Sequence, residues 1–411
     1  MIKALVNFLD NDLSNQSRRV GSQMNNSVCA ILLVLTQCLS FAPLTAFAQG
    51  ENKVTPKVEW EAETTDSRNG FGSILLDGDQ IVAGDDQGAL RAFRRQTGEI
   101  LWTAEYGNRI YDAPVRGDDK IFFGSSRGVT SANRKTGEQI WSFDVQHGVG
   151  DCVYSAKHRL VITGGNDGLV YALRADTGES LWTLDIVKDA PADPKDFDGA
   201  RARFGDAPAR PSGIACDEQC VYLCIFDQCR VLAIDLETGK KKWSLQTGGW
   251  ILPAPTISED SVFVASQDDH LWRIDKKSGE VKWKFKTNSR IEGSCGLDGD
   301  LAYFGSCDGR FYAVNIKDGK EQWRFETDKG PHGRPIYSEP YITKRSILFA
   351  AGPGKLYSLE KETGALRWKF DVLEDSETYC DTISDGQRVF LVTRKSETGG
   401  KNAIVAIIPA E

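Results

Sequence analysis

The sequence predicts an all-β fold, an eight-bladed β-propeller of four-stranded antiparallel blades. Three observations carry this: a Trp-bearing segment recurs about every forty residues, short strand runs separated by turns fill each period, and the last strands lack a partner until the N-terminal Trp60 segment is added.

The recurring segment is a small residue, a Thr-Gly or similar turn five positions on, and a Trp four residues after the glycine. Its seven copies end at Trp102, Trp141, Trp182, Trp243, Trp283, Trp323 and Trp368. Successive spacings of 39, 41, 61, 40, 40 and 45 residues fit one supersecondary unit per period, with insertions in two intervals. Within a period, as from Ser294 to Val314, Asp-Gly pairs divide β-rich runs too short for helices. That pattern reads as antiparallel strands joined by tight turns, and repeating such a sheet radially protects its long edges.

A buried Trp covers roughly 150–250 Å², so these seven, and Trp60 with them, are expected to be structural docking residues. The small residue five positions before each turn (Ala92, Ser131, Ala172, Ala233, Ala313 and Ser358, with Arg273 departing) is expected to leave room for the indole against the neighbouring blade. Thr378 to Thr393 and Asn402 to Ile408 supply three further strands and stop before another Trp. The segment around Trp60 has no strands before it. Joining the two ends makes the eighth blade and latches the ring.

Residues 1–48 read as a signal peptide: Arg18-Arg19, then an apolar run from Val28 to Ala48 ending Ala-Phe-Ala. An uncleaved anchor is the alternative, since the run is about long enough to span a bilayer. Gln37 stands where a lipidation site before Cys38 needs a small residue, so no lipid anchor is expected. The domain is then 49–411, periplasmic or secreted and monomeric, with no stable membrane insertion after cleavage. Its insert loop, 187–211, is too polar and Pro-rich for a strand. A net charge of −8 without a basic block argues against nucleic acid as a partner.

Export makes disulfides possible. Cys216 with Cys220 and Cys224 with Cys229 flank two turns of blade four, so two cross-strand disulfides are expected there. Their spacing matches no common zinc pattern and no metal is expected. Cys295 and Cys307 are too far apart along their hairpin to pair, and Cys152 and Cys380 are left unassigned.

Propellers bind at the mouth of the central channel, where loops from all blades converge. Counting seven residues from the docking Trp gives Arg109, Trp250 and Arg290 at the entry to the innermost strand; Arg68 lies eight after Trp60, and Arg210 and Arg334 lie in enlarged loops. Such a ring suits a carboxylate, a phosphate or an aromatic ligand, though the same residues also read as solvated loop positions. Asp196 to Gly199 is similar to a calcium loop, but Pro194 and Gly205 stand in two ligand places. The four histidines, His147, His158, His270 and His332, suggest neither a triad nor a ligand set, and no catalytic residue is assigned.

The segments Tyr171 to Trp182 and Tyr312 to Trp323 resemble the docking motif of the pyrroloquinoline quinone (PQQ) repeat family, a likeness running from about Lys57 to Ile408. The resemblance implies an eight-bladed propeller of one of two classes. One is the quinoprotein dehydrogenases, which hold PQQ and calcium and use an adjacent-cysteine disulfide at the cofactor; this chain has no Cys-Cys pair. The other is the non-catalytic, exported BamB-like propellers, which bind protein or other macromolecular partners in the cell envelope. The second class is the expected one, with no cofactor; a PQQ-dependent, quinoprotein-like oxidoreductase is the alternative.

Overall fold

In the computed structural model the described residues are 55–63, 70–110, 112–188, 209–328, 335–352, 354–373, 376–378, 382–395 and 399–409. The signal segment 1–48, Arg68, Arg334, Cys380 and positions 189–208 of the insert loop lie outside them.

Blade one shows the repeating plan. Phe71–Asp77, Gln80–Asp85, Ala89–Arg94 and Ile100–Glu105 pair in chain order, each antiparallel to the next. Six more sheets repeat that order, so seven blades are built from consecutive strands. The middle strands are dominated by aliphatic and aromatic residues and are buried on both faces, as in Cys220–Ile225. Outermost strands alternate exposed and covered positions, because only one face of each meets a neighbour.

The eighth sheet joins the two ends of the chain. Lys57–Glu63 runs antiparallel to Ala403–Ile408, with Trp60 opposite Ala406 and Glu63 opposite Ala403. Ala403–Ile408 pairs in turn with Val389–Lys395, which also holds the short strands Ile383–Ser384 and Ser376–Glu377. Lys401 spans the seam, 2.6 Å from Glu61 and 2.5 Å from Glu63, and Arg388 is ion-paired with Glu59.

Hydrophobic packing shows that the ring is closed. An open row of eight sheets would have seven layers between them, whereas the described residues form eight apolar clusters, each drawing mainly on two neighbouring blades. The eighth blade contributes to two of them. Phe390, Ile404 and Ala406 pack with Phe71 and Ile81 of blade one. Val389, Val405 and Ile407 pack with Leu348 and Leu356 of blade seven.

Seven of the docking Trp residues reach forward onto a turn glycine of the next blade. Trp243, 8% exposed, lies against Gly279, and a Cβ at that glycine would come within 2.7 Å of the indole. Gly279 also has φ +76°, a left-handed turn conformation that glycine adopts without penalty. The indole N–H of Trp243 donates to the Lys276 carbonyl at 3.0 Å. Trp60, Trp141, Trp182, Trp283 and Trp323 repeat both contacts, with acceptors at Arg95, Ala175, Leu236, Ile316 and Lys361. Trp102 lies on Gly137 but its indole nitrogen has no hydrogen-bond partner among the described residues.

The role expected of the small residue needs correcting. Ala92, Ser131, Ala172, Ala233, Ala313 and Ser358 lie directly opposite their own blade's Trp in the ladder. Space in the neighbouring blade comes from the turn glycine. Arg273, the departure, is 8% exposed and spreads its guanidinium between blades. It donates to Ser261 (2.8 Å), to Asp260 (3.1 and 3.0 Å) and to the Ile316 carbonyl (2.7 Å), which also accepts from Trp283. Lys282, then Ser261 and Arg273, hold the Asp260 carboxyl well below the usual carboxylate range.

The expected disulfides are not formed: none of Cys216, Cys220, Cys224 and Cys229 is disulfide-bonded. Register explains this. Cys216 lies opposite Val221, so Cys220, one residue short, points to the other face of the sheet. Cys224 lies opposite Val231, and Cys229 stands two residues before it, about 6.6 Å along the strand.

Candidate binding face

In blades two, four, five, six and seven the entry to the innermost strand is fixed by one backbone hydrogen bond. The N–H of a residue in the turn between the blade's second and third strands donates to the carbonyl of the entry residue. Arg109 accepts from Ser126 (3.0 Å), Arg210 from Phe226 (2.8 Å), Trp250 from Gln267 (2.7 Å) and Arg290 from Cys307 (2.9 Å). Pro335 holds the same place in blade seven, accepting from Gly352 at 3.1 Å. The three residues picked by counting from the docking Trp, together with Arg210 of an enlarged loop, therefore stand at equivalent positions on one face of the ring.

Three of them are brought into one arc over blades four to six. Phe226, beside Arg210, packs against Trp250 of the next blade with ring centroids 4.6 Å apart. Gln267 of blade five donates to Glu292 of blade six at 2.6 Å, and Glu292 pairs with Arg290 at 2.6 Å. Cys307 and Tyr337 complete the arc towards blade seven, both acting on the Arg290 guanidinium. Arg109 stands apart in blade two, with blade three between it and Arg210.

The chemistry of this arc is that of a contact surface. Arg290 is half-exposed and already matched by Glu292, so the pair presents balanced charge. Burial pushes the Cys307 thiol up to about 12, and the Tyr337 phenol is raised for the same reason. Cys295 is likewise raised to about 12 and Cys216 to about 11, both chiefly by burial. A thiol acts as a nucleophile through its thiolate, so none of the three is activated at neutral pH.

One group of residues escaped the sequence reading. Asp112 of blade two and Asp151 of blade three are joined by a side-chain hydrogen bond, and Arg394 of blade eight acts on Asp112. Burial raises the Asp112 carboxyl; the bond to Asp151 and the charge of Arg394 oppose it. Two carboxyl groups can share such a bond only when one keeps a proton. The signal was available in the repeat: each Asp follows a buried aliphatic residue, Ile110 or Val149, by two positions.

The raised carboxyl sets a pH dependence. In the folded chain Asp112 holds its proton more tightly than in the unfolded chain, so its ionisation costs stability as the pH rises above about 4. Asp112→Asn is expected to raise the melting temperature at neutral pH and to leave it unchanged at about pH 3, where wild type is also protonated. Thermal melts at the two pH values check this; an equal shift at both would contradict it.

Comparison with known proteins agrees with the architecture. A family model described as outer membrane protein assembly factor BamB matches residues 125–202, 166–338 and 322–407. The curated outer membrane protein assembly factor BamB of Shewanella oneidensis is 24% identical over 172 residues, 40% of this chain and 40% of that protein. That of Yersinia pestis is 23% identical over 208 residues, 47% of this chain and 50% of that protein. The chain thus spans about half the length, or less, of the curated relatives it matches. Among solved structures, BamB from Moraxella catarrhalis superposes with a TM-score of 0.65 at 16% identity, covering 86% of this chain and all of that one. The computationally designed Ika8 protein superposes at 0.67 and 17% identity, covering 84% of this chain and 98% of the design. At such identities the superpositions show the fold alone.

Proposed function

Because the chain belongs to the outer membrane protein assembly factor BamB family of PQQ-repeat propellers, we propose that it is an exported, non-catalytic scaffold that binds protein partners in the cell envelope and serves outer-membrane protein assembly. The observation that carries this reading is the arc over blades four to six. It joins an aromatic pair, Phe226 and Trp250, to an ion pair whose charges already cancel. Aromatic anchors rimmed by satisfied polar groups suit a protein surface, whereas a small anion would have to displace Glu292 from Arg290. Arg109, and the channel-mouth candidates Arg68 and Arg334, are assigned to the same face on their sequence positions.

The residues present do not fit the quinoprotein alternative. The sequence has no adjacent cysteines, and among the described residues no three His, Cys, Asp or Glu side chains stand close enough to hold a metal.

The reading is tested in the native envelope with a photo-crosslinking residue placed at Trp250 or at Arg290. The expected result is one envelope protein captured from both positions and not from Val281 on the outer rim, with a mature chain beginning at Gln49. Crosslinks that do not differ between the face and the rim, or dye reduction with an alcohol substrate once PQQ and calcium are added, would overturn it.

A further inference from the structure

The outermost strand of every blade has one unpaired ladder edge, and natural sheets protect such edges with charged side chains, especially Lys. In blades one to seven every outermost strand carries a register shift of the β-bulge type at its second residue, which is one such protection, whereas the charged protection is uneven. In blades one to seven the outermost strands share one exposure pattern, with the first, second and fourth residues exposed. In blades four to seven two of those three residues are charged, as with Lys241 and Lys242 in blade four and Lys282 and Lys284 in blade five. In blades one to three none is: they are Ile-Leu-Thr, Gln-Ile-Ser and Ser-Leu-Thr.

The apolar exposure follows the same division. Ile100 (54% exposed), Leu101 (38%), Ile140 (43%) and Leu181 (43%) all lie on these three consecutive rims. Val281 and Leu366, exposed to 37% and 44%, are each followed by a cation, Lys282 or Arg367. The three strands contain no Lys or Arg, and each ends on a carboxylate at the same register place: Glu105, Asp144, which is ion-paired with Arg127 at 2.8 Å, and Asp185, which is ion-paired with Lys188 at 3.1 Å.

From this we infer that the rim of blades one to three is a second docking surface, which takes an extended segment of a protein partner as an added β-strand. Ladder hydrogen bonds to the open edge supply the pairing. Aliphatic side chains of the guest cover Leu101, Ile140 or Leu181, and a Lys or Arg of the guest meets Glu105, or takes the place of Arg127 at Asp144 or of Lys188 at Asp185. The inference adds a surface to the scaffold reading and does not depend on the face over blades four to six.

The test is fluorescence anisotropy of the whole protein with a labelled ten-residue peptide alternating Ile or Val with Lys and Thr. The expected result is binding that weakens at least tenfold in the triple variant Leu101→Lys, Ile140→Lys, Leu181→Lys. Leu366→Lys on blade seven and Trp250→Ala on the face are expected to leave it within twofold. A peptide with Asp in place of Lys is expected to bind at least tenfold more weakly. The three substituted side chains are exposed, so circular dichroism of the triple variant should match wild type. Absence of peptide binding, equal binding by the triple variant, or equal loss with Leu366→Lys would each overturn the inference. Should sedimentation show that wild type self-associates and the triple variant does not, the guest is a second copy of the chain, and the assignment to another protein is overturned. Loss of the face crosslinks with peptide binding intact would sink the scaffold assignment alone.

Discussion

Trp243→Ala is expected to lower the free energy of unfolding by about 3–5 kcal/mol, the range for truncating a large buried aromatic residue. Three effects add. The indole is 8% exposed and lies on Gly279 of the following blade, so its removal leaves a cavity between two sheets that cannot collapse onto each other. The Lys276 carbonyl loses its donor. Tyr222, whose ring centroid is 6.0 Å away, loses an aromatic neighbour. Denaturant unfolding at constant m-value measures the change. Trp102→Ala provides the internal comparison: this indole docks on Gly137 without a hydrogen bond, so its loss should cost less by about 1 kcal/mol. Equal losses at the two positions would mean that the carbonyl contact contributes nothing.

Val405→Asp is expected to cost a similar amount but to act on the closure of the whole ring. Val405 is fully buried in the strand that carries the latch, between Leu391 on one side and Glu61 on the other, and it packs with residues of blade seven. An unpaired carboxylate there has no compensating partner, and such a charge costs about 3–5 kcal/mol. Because the strand belongs to the closing blade, the loss should release both ends of the chain together. Limited proteolysis checks this: cleavage is expected near Lys57 and near Lys401 at the same rate. Cleavage at one end with the other protected would contradict a shared latch.

The ring itself was legible because its signal repeats: a Trp four residues after a turn glycine, seen seven times, fixes strand number, register and closure together. The same count located Arg109, Trp250 and Arg290, since distance from the docking Trp sets where the innermost strand begins. Contacts between blades were not legible. Nothing in the sequence next to Arg290 says that Gln267, in another blade, holds Glu292 in place. Asp112 and Asp151 were passed over because acids near turns are ordinarily explained by turn chemistry. The cysteines of blade four misled for a geometric reason: closeness along a hairpin says little unless the two residues also face the same side of the sheet, as Cys216 and Cys220 do not, and stand directly opposite each other, as Cys224 and Cys229 do not.

The head-to-tail seam also orders events in time. Lys57–Glu63 is the earliest of the described strands to be synthesised, yet its partner, Ala403–Ile408, is the last. Until Ile408 has emerged, Trp60 has no sheet of its own, and blades one and seven each lack one flanking neighbour. Pairing across about 350 residues is a slow step in any chain dominated by such distant contacts. A nascent chain of this protein must therefore be shielded by other factors, or kept apart from its siblings, until its final strand arrives.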